Sequence, residues 1–445
     1  MPTGAVRRLS ARARTSTVPE PRPWTADRRD HLDETARLLA AVERWVHAFS
    51  HLDPASLRAG IDPAQGPLAG MPFAVSQTID VAGMPGPDGR AASRDAEAVA
   101  RLRAAGARVL GLTTSTPYGC GTATRTDNPR GSGYTPGGSA AGAGAAVGAG
   151  IVPVALATQS QAATLRAASY CGAWGFKPSH LRLPREGALV LSDTLTDLGL
   201  VAASLEDLAR VLPVLTRWRE ADPEPTDEEG RRRPLRVGRV MLDDGALPRP
   251  RTLAHFDTLL HELGTRTAQA GPTGPAIEVV ENTTELLALD RAVRHSTRVC
   301  LDILAAQSGP QLTAALAAGE SDPRLHELVE RAAVVGPSGL VEALDQRRAL
   351  TRAYAALADH VDVLITLSTT NPAPEQREGT GCRRMPTTAS LLGVPALSAP
   401  WLVVDGLPQG VQVLGFAGRD EELLAAVRLL AAAVPGPSTR RASPP

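Results

Sequence analysis

The sequence predicts an α/β protein built on a mixed or parallel β-sheet. The chain has 445 residues, of which 43% are hydrophobic, so it is long enough to bury a large core. A strand predicted within residues 69–86 precedes a helix over Ala96–Ala105 and a strand over Ala107–Leu112, which is the strand–helix–strand order of such sheets. Val361–Leu367 and Ala396–Val404 are two further predicted strands near the end of the chain.

Apolar residues at helical spacing predict several helices around this sheet. The predicted segments are 31–52, 252–268, 284–317, 327–358 and 420–433. The last of these carries acidic residues in its first turn, where they interact favourably with the helix dipole.

Composition also predicts the boundaries of the folded region. Residues 1–27 are rich in Arg, Pro, Ser and Thr, and residues 435–445 are rich in Pro, Ser and Arg, so both ends are predicted to be disordered tails. The charged, proline-bearing segment 218–235 is predicted to be an exposed connection within a folded region spanning residues 28–434.

The balance of charges argues against a polyanionic partner. The chain carries 47 basic and 47 acidic residues, and aromatic residues make up only 3%, which disfavours nucleic acid and anionic membranes. We therefore expect a small-molecule substrate or ligand, with a homodimer or a protein partner as a further expectation. Four scattered cysteines without metal-binding spacing predict reduced thiols in a cytoplasmic protein.

A glycine-rich segment, 131-GSGYTPGGSAAGAGAAVGAGIVPVALAT-158, predicts a tightly packed loop that leads into a helix. Its glycines do not follow the order of a dinucleotide-binding turn, and the histidines and cysteines show no metal spacing. The sequence thus predicts no cofactor and no metal.

Five separated motifs occur in an order that resembles the amidase signature family, from about residue 30 to 434. They are 66-GPLAGMPFAVSQTIDVAGMPG-86, 135-TPGGSAAGAGAAVGAG-150, 171-CGAWGFKPS-179, 389-ASLLGVPALSAP-400 and 406-GLPQGVQVLGFAGRDEELL-424. The resemblance implies a single α/β/α domain with a large mixed sheet and helices on both faces. It also implies amide or ester hydrolysis by a serine nucleophile, a second serine on a cis peptide bond and a neutral lysine base.

Position by position, the resemblance is incomplete. Ser76 follows G-M-P-F-A-V where the family carries its lysine, whereas Ser139 retains the bridging serine, with a cis or a trans peptide bond left open. Lys177 is the only lysine of the chain, and the resemblance gives it a structural role in the G-F-K-P segment. An alcohol is too weak a base to replace the missing amine.

The nucleophile position allows two alignments. Counting back eight residues from Cys171 without a gap places Ala163 there, whereas a gapped alignment of 162-AATLR-166 places Thr164 there. The oxyanion turn is also changed, because Gln159 or Ser160 and Gln161, Ala162 or Ala163 stand where the family has its Asp and glycine pair. We expect Gln159, Ser160, Gln161, Ala162 and Ala163 to line a substrate pocket.

The segment 117-PYGCGTATRTDNP-129 falls where family members line the acyl pocket, so Tyr118 and Cys120 are predicted to contact the substrate. A Cys120 nucleophile would need a neighbouring base to lower its pKa, and no histidine stands beside it in sequence.

These changes suggest three hypotheses. The leading one is a degenerate amidase, or pseudoamidase, that has lost this hydrolysis and binds and transforms an amide- or acyl-bearing small molecule, as in natural product biosynthesis. The second is a non-catalytic protein that regulates a partner. The third is residual amide or ester hydrolysis through Thr164 or Cys120.

Overall fold

The computed structural model describes residues 20–25, 28–57, 66–86, 89–221, 225–226, 229, 231–242, 245, 247–269 and 276–434. Eleven strands form one mixed sheet. The strands are β1 Phe49–Leu52, β2 Pro72–Ser76, β3 Arg108–Thr113, β4 Val154–Gln159, β5 Trp174–Lys177, β6 Asp197–Ala202, β7 Leu235–Arg239, β8 Ile277–Val280, β9 Val363–Leu367, β10 Ala396–Val404 and β11 Leu407–Leu414. Their order across the sheet is β1-β3-β2-β4-β6-β5-β10-β11-β9-β7-β8.

The helices are α1 Arg28–Val46, α2 Glu97–Ala104, α3 Ala141–Gly148, α4 Ala163–Cys171, α5 Leu205–Leu215, α6 Pro250–Gln269, α7 Thr284–Ala292, α8 Ser296–Ala317, α9 Pro323–Ala355, α10 Arg384–Leu392 and α11 Asp420–Ala433. The described residues also form short 3-10 segments at Pro54–Leu57, Pro117–Gly119, Val293–His295, Ala356–Asp359 and Gln376–Glu378.

Helices cover both faces of the sheet, because the strands alternate their side chains between two cores. In β2, Phe73 and Val75 pack into the core under α2, α5, α6 and α11, whereas Ala74 packs into the opposite core with α1 and α3. In β9, Ile365 packs into the same core as Phe73, whereas Leu364 packs into a separate core on the other face of the sheet. The predicted α/β fold with a large mixed sheet is therefore confirmed.

The predicted helix over 31–52 is too long. The real helix ends at Val46, and the Glu43 carboxylate fixes the segment that follows by accepting hydrogen bonds from Ala48 N at 3.0 Å and Phe49 N at 2.9 Å. The chain then forms edge strand β1, which pairs antiparallel with β3. Tertiary pairing overrides the helical spacing here.

The predicted strand within 69–86 is confined to β2, and the predicted helix over 284–317 is divided between α7 and α8 by the 3-10 segment Val293–His295. The end of the predicted tail 1–27 also differs from expectation, since Trp24 is 5% exposed and donates its backbone N–H to Asp207 Oδ1 at 3.1 Å. Most of the tail, and all of 435–445, lies outside the described residues.

A helical pair stands beside the sheet and covers the site described below. Helices α8 and α9 pack together through Val299, Ile303, Leu325 and Leu328. Helix α9 bends at Gly336, where φ is +57°. No helix among the described residues is long and apolar enough to cross a membrane.

Candidate active site

A cavity lies between the start of α4, the loop before α3 and the α8–α9 pair. Sequence-predicted residues in its wall are Cys120, Ser139, Ser160, Gln161, Ala162 and Ala163. The remaining lining residues are Thr116, Gly119, Gly121, Gly138, Arg166, Leu191, Leu301, Leu304, Arg324, Leu328, Thr380 and Arg383. The fold thus brings together six of the predicted residues, and it leaves Ser76, Tyr118, Gln159 and Thr164 out of the wall.

The loop before α3 holds Ser139 at the cavity. The Gly138–Ser139 peptide bond is cis. Arg166 fixes this loop, because its Nε and Nη2 both donate to Gly138 O, the former at 3.1 Å, and its Nη1 donates to Gly381 O at 2.8 Å. Ser139 therefore presents its hydroxyl from a backbone that a buried guanidinium holds in place.

The first turn of α4 forms the opposite wall. Gln159 caps it, since Gln159 Oε1 accepts from Thr164 N and Leu165 N, each at 3.0 Å. The backbone N–H groups of Ala162 and Ala163 make no hydrogen bond with any described residue. These two N–H groups at a helix N-terminus are suited to binding a negatively charged oxygen.

Thr164 points away from the cavity. Its side chain is fully buried, and Oγ1 lies 3.4 Å from Thr158 O. The same atom would be 2.7 Å from a Cβ at Gly199, so it faces strand β6. Ala163 lines the cavity, whereas the Thr164 hydroxyl lies within the packed core.

Ser76 belongs to a chain of hydroxyl groups that lies near Ser139. Ser76 Oγ lies 2.9 Å from Thr78 Oγ1, which lies 3.2 Å from Thr158 Oγ1. A Cβ at Gly119 would meet both Thr78 Cγ2 at 3.5 Å and Ser139 Oγ at 3.9 Å, so this chain and Ser139 flank one glycine. The chain can relay hydrogen bonds, but a hydroxyl has no capacity as a base near neutral pH.

Lys177 takes part in a buried ion pair, and neither it nor its partner lines the cavity. Its Nζ lies 3.1 Å from Asp197 Oδ2 and donates to Pro178 O at 2.6 Å and Val394 O at 3.0 Å. Burial tends to raise the pKa of Asp197, but the Lys177 ammonium, the His180 ring and the Leu181 N–H together hold it below its usual value. The geometry fits the structural role that the resemblance implied for Lys177.

Cys120 lines the cavity as a neutral thiol. Burial, and after it the Asp322 carboxylate, raise the pKa of Cys120 to about 12. The thiolate needed for nucleophilic attack is therefore scarce at neutral pH. Tyr118, with φ of +50°, packs instead toward the α8–α9 core.

Sequence reasoning missed the three arginines of the cavity, Arg166, Arg324 and Arg383. They come from α4, the start of α9 and the residue before α10, so no local motif joins them. The excess of arginine in a chain of zero net charge could have suggested a cluster of arginines. It does not show which of the guanidinium groups lie in one cavity. Among the described residues, no group of three His, Cys, Asp or Glu side chains could hold a metal ion.

Comparison with known proteins places this cavity in a family context. The family model described as Amidase matches residues 37–424. The GatA-type component of glutamyl-tRNA(Gln) amidotransferase from Rhodopirellula baltica is 31% identical over 455 residues, covering 88% of this chain and 91% of that protein. AtzE, the 1-carboxybiuret hydrolase subunit of Pseudomonas sp., is 34% identical over 203 residues, covering 41% of this chain and 44% of that protein.

Solved structures give the same picture. A structure of 6-aminohexanoate cyclic dimer hydrolase has a TM-score of 0.76 at 25% identity and covers 92% of this chain and 94% of that one. A structure described as an amidase, with a TM-score of 0.78 at 23% identity, covers 96% of this chain and 99% of that one and shows the shared fold.

These relatives overturn the leading functional hypothesis. A chain that has abandoned amide hydrolysis for another transformation, or for a purely regulatory role, was expected from the missing lysine and nucleophile. Relatives that cover more than four fifths of the chain are instead named as amidotransferase subunits, and a structural neighbour at 25% identity is named as a hydrolase. The prediction of a repurposed pseudoamidase is therefore wrong, and natural product biosynthesis finds no support among these relatives.

Proposed function

Because the chain belongs to the amidase signature family, we propose that it cleaves amide bonds in the cavity that contains Ser139. The observation that carries the proposal is the position of Ser139, which shares this cavity with the unpaired N–H groups of Ala162 and Ala163. A hydroxyl facing donors at a helix N-terminus is the arrangement that acyl transfer requires. The names of the relatives support the same reaction class.

We further propose that the reaction runs without a lysine base. Ser76 occupies the position where the family carries lysine, and Lys177 is engaged with Asp197. In this reaction Ser139 Oγ attacks the carbonyl carbon, and the N–H groups of Ala162 and Ala163 stabilise the oxyanion. The C–N bond then breaks, the amine leaves with a proton from solvent, and water hydrolyses the acyl-serine ester.

The proton of Ser139 has to leave to hydroxide or water, because the described wall of the cavity contains no carboxylate and no histidine. We therefore expect slow turnover whose rate rises steadily with pH. A bell-shaped profile with a limb near neutrality would point to a general base and contradict this mechanism.

The direct test is covalent labelling. A fluorophosphonate probe, followed by peptide mass spectrometry, should modify Ser139, and Ser139→Ala should lose both the label and the turnover of an acyl p-nitroanilide. Ser160→Ala is the matched control, since Ser160 also lines the cavity but is hydrogen-bonded to Thr196 Oγ1 at 2.7 Å. Labelling at Ser160, or full turnover by Ser139→Ala, would refute the assignment.

A gain-of-function variant tests the missing groups. The double variant Ser76→Lys/Ala163→Ser restores the family residues at both positions, and a positioned base typically contributes about 10²–10⁴-fold in rate. We expect an increase in this range for the double variant and little for Ala163→Ser alone. A folded double variant with unchanged turnover would show that positions 76 and 163 do not correspond to the family's base and nucleophile.

We also propose that the protein acts as one component of a cytoplasmic assembly. The relatives from Rhodopirellula baltica and Pseudomonas sp. are both named as subunits. The absence of a disulfide among the four cysteines fits a reducing compartment. Light scattering on the purified chain, alone and with the product of a neighbouring gene, measures the assembly directly.

A further inference from the structure

We propose that the substrate of the Ser139 cavity is an amide that also carries a carboxylate, and that Arg383 binds this carboxylate. The inference rests on the proposed amide-cleaving function and adds the class of substrate. It starts from the charges of the cavity wall. Arg166, Arg324 and Arg383 line the wall, and no described aspartate or glutamate does.

The three guanidiniums differ in what they have to offer a ligand. Arg166 is only 5% exposed, and its Nε, Nη1 and Nη2 all donate to the carbonyls of Gly138 and Gly381. Arg324 pairs with the carboxylate of Glu327 at 2.5 Å. Both contribute positive charge to the cavity, but the donors of Arg166 are engaged by carbonyl groups, and the charge of Arg324 is paired with a carboxylate of the protein.

Arg383 is the exception. Its only hydrogen bond with the described residues runs from Nη1 to Gln161 Oε1 at 3.2 Å, and no described carboxylate lies within ion-pair distance. Burial first, and then the neighbouring Arg324, lower the pKa of Arg383. A guanidinium donates up to five hydrogen bonds in a planar fork, so most of the donors of Arg383 remain available.

The nearby acidic groups do not neutralise Arg383. Asp322 accepts from Thr122 N at 2.9 Å and from Thr122 Oγ1 at 2.6 Å, and it caps α9 through Arg324 N at 2.8 Å. Glu327 is occupied by Arg324 and is 61% exposed. The cavity thus holds a net positive charge that the protein itself leaves uncompensated.

Two buried polar atoms of the wall also lack a partner. Thr116 Oγ1 belongs to a side chain that is 1% exposed, and Gln161 Nε2 is the free end of the amide whose oxygen binds Arg383. The Cys300 thiol interacts with the Gln161 side chain, and a thiol is only a weak acceptor. Both atoms can therefore form hydrogen bonds with a polar ligand in the cavity.

The leucine side chains of the wall indicate the rest of the ligand. Leu191, Leu301, Leu304 and Leu328 give the cavity an apolar side. Their side chains suit a short aliphatic segment that joins the carboxylate at Arg383 to the amide at Ser139. A planar carboxylate fits the guanidinium fork with two parallel hydrogen bonds, which is why we name a carboxylate rather than a neutral polar group.

Isothermal titration calorimetry tests the proposal with probes of matched length. The probes are the monoamides of succinic and adipic acid, the neutral amides butyramide and hexanamide, and inorganic phosphate. We expect at least one carboxylate-bearing monoamide to bind about 10-fold or more tightly than its neutral counterpart, as charge-assisted hydrogen bonds do. This preference should weaken as the salt concentration rises.

Variants assign the effect to Arg383. Arg383→Gln should weaken binding of the monoamides about 10- to 100-fold and leave the neutral amides unchanged. Arg383→Lys, which keeps the charge without the fork, should fall in between. The matched control is Arg251→Gln, because Arg251 is 71% exposed and pairs with Asp405. If Arg383→Gln does not fold, Arg383→Lys and the salt dependence of the unmodified protein provide the test.

The outcomes separate this inference from the proposed function, because calorimetry detects binding without turnover. Selective binding of the monoamides that is lost in Arg383→Gln supports the carboxylate site even if no probe is hydrolysed. Equal binding of neutral and anionic amides overturns it even if both are hydrolysed. Tighter binding of phosphate than of either monoamide also overturns it, since the site would then take a phosphate group.

Discussion

Two cations inside this protein lie in opposite surroundings. Lys177 is fully buried and meets a carboxylate and two carbonyl oxygens, whereas Arg383 meets a single amide oxygen of Gln161. The ion pair of Lys177 is completed within the fold, because strands β5 and β6 bring Lys177 and Asp197 together. The comparison indicates that Lys177 stabilises the fold, whereas Arg383 is available to bind a ligand.

The largest expected effect follows from breaking the completed pair. Lys177→Met leaves the Asp197 carboxylate buried without its ammonium, which should lower the free energy of unfolding by about 3–5 kcal/mol. Arg383→Met removes a cation that neighbouring guanidiniums repel, so the unliganded protein should lose no stability. Urea denaturation of the two variants measures both changes, and losses of equal size would contradict the distinction.

A second effect concerns acid pH. The folded state lowers the pKa of Asp197, so this carboxylate contributes stability above the pKa of the unfolded chain and loses it as pH falls through the folded pKa. We expect the free energy of unfolding to fall below about pH 4, the ordinary value for aspartate. Asp197→Asn should flatten this slope in pH-dependent denaturation. An unchanged slope would mean that other carboxylates dominate acid unfolding.

A smaller effect concerns the turn that faces Ser139. Gln159→Ala removes the acceptor of the Thr164 and Leu165 N–H groups, and loss of a helix cap costs about 1 kcal/mol. Amide turnover should fall as well, because the cap also orients the N–H groups of Ala162 and Ala163. The control is Gln346→Ala, whose exposed amide bonds Glu342 at 3.0 Å and should affect neither stability nor turnover.

The smallest effect is predicted for Thr164. Its hydroxyl makes only a 3.4 Å contact with Thr158 O and does not reach the cavity, so Thr164→Val should change stability by less than about 1 kcal/mol. Amide turnover should stay at the unmodified level, in contrast with Ser139→Ala. A complete loss of turnover in a stable Thr164→Val protein would return Thr164 to the list of nucleophiles.

Local patterns were sufficient for most of the fold. The predicted closing helix 420–433 and strand 396–404 match α11 and β10 residue for residue, since each carries an unbroken periodic pattern with clear ends. The segment 47–52 was misassigned because its partner, β3, lies some 60 residues away in the chain, as the pairing of Leu52 with Gly111 shows. Helical spacing says nothing about such a distant partner.

The sequence by itself determined the family, because the motifs depend only on residue identity and order, and it predicted which family positions Ser76, Ser139 and Ala163 take. The tertiary structure decided which way each side chain faces. It turned Thr164 toward β6, paired the sole lysine with Asp197, and gathered Arg166, Arg324 and Arg383 from separate elements. The charge of a cavity depends on residues that are distant in the chain. Only the folded structure could therefore show that no described carboxylate forms an ion pair with Arg383.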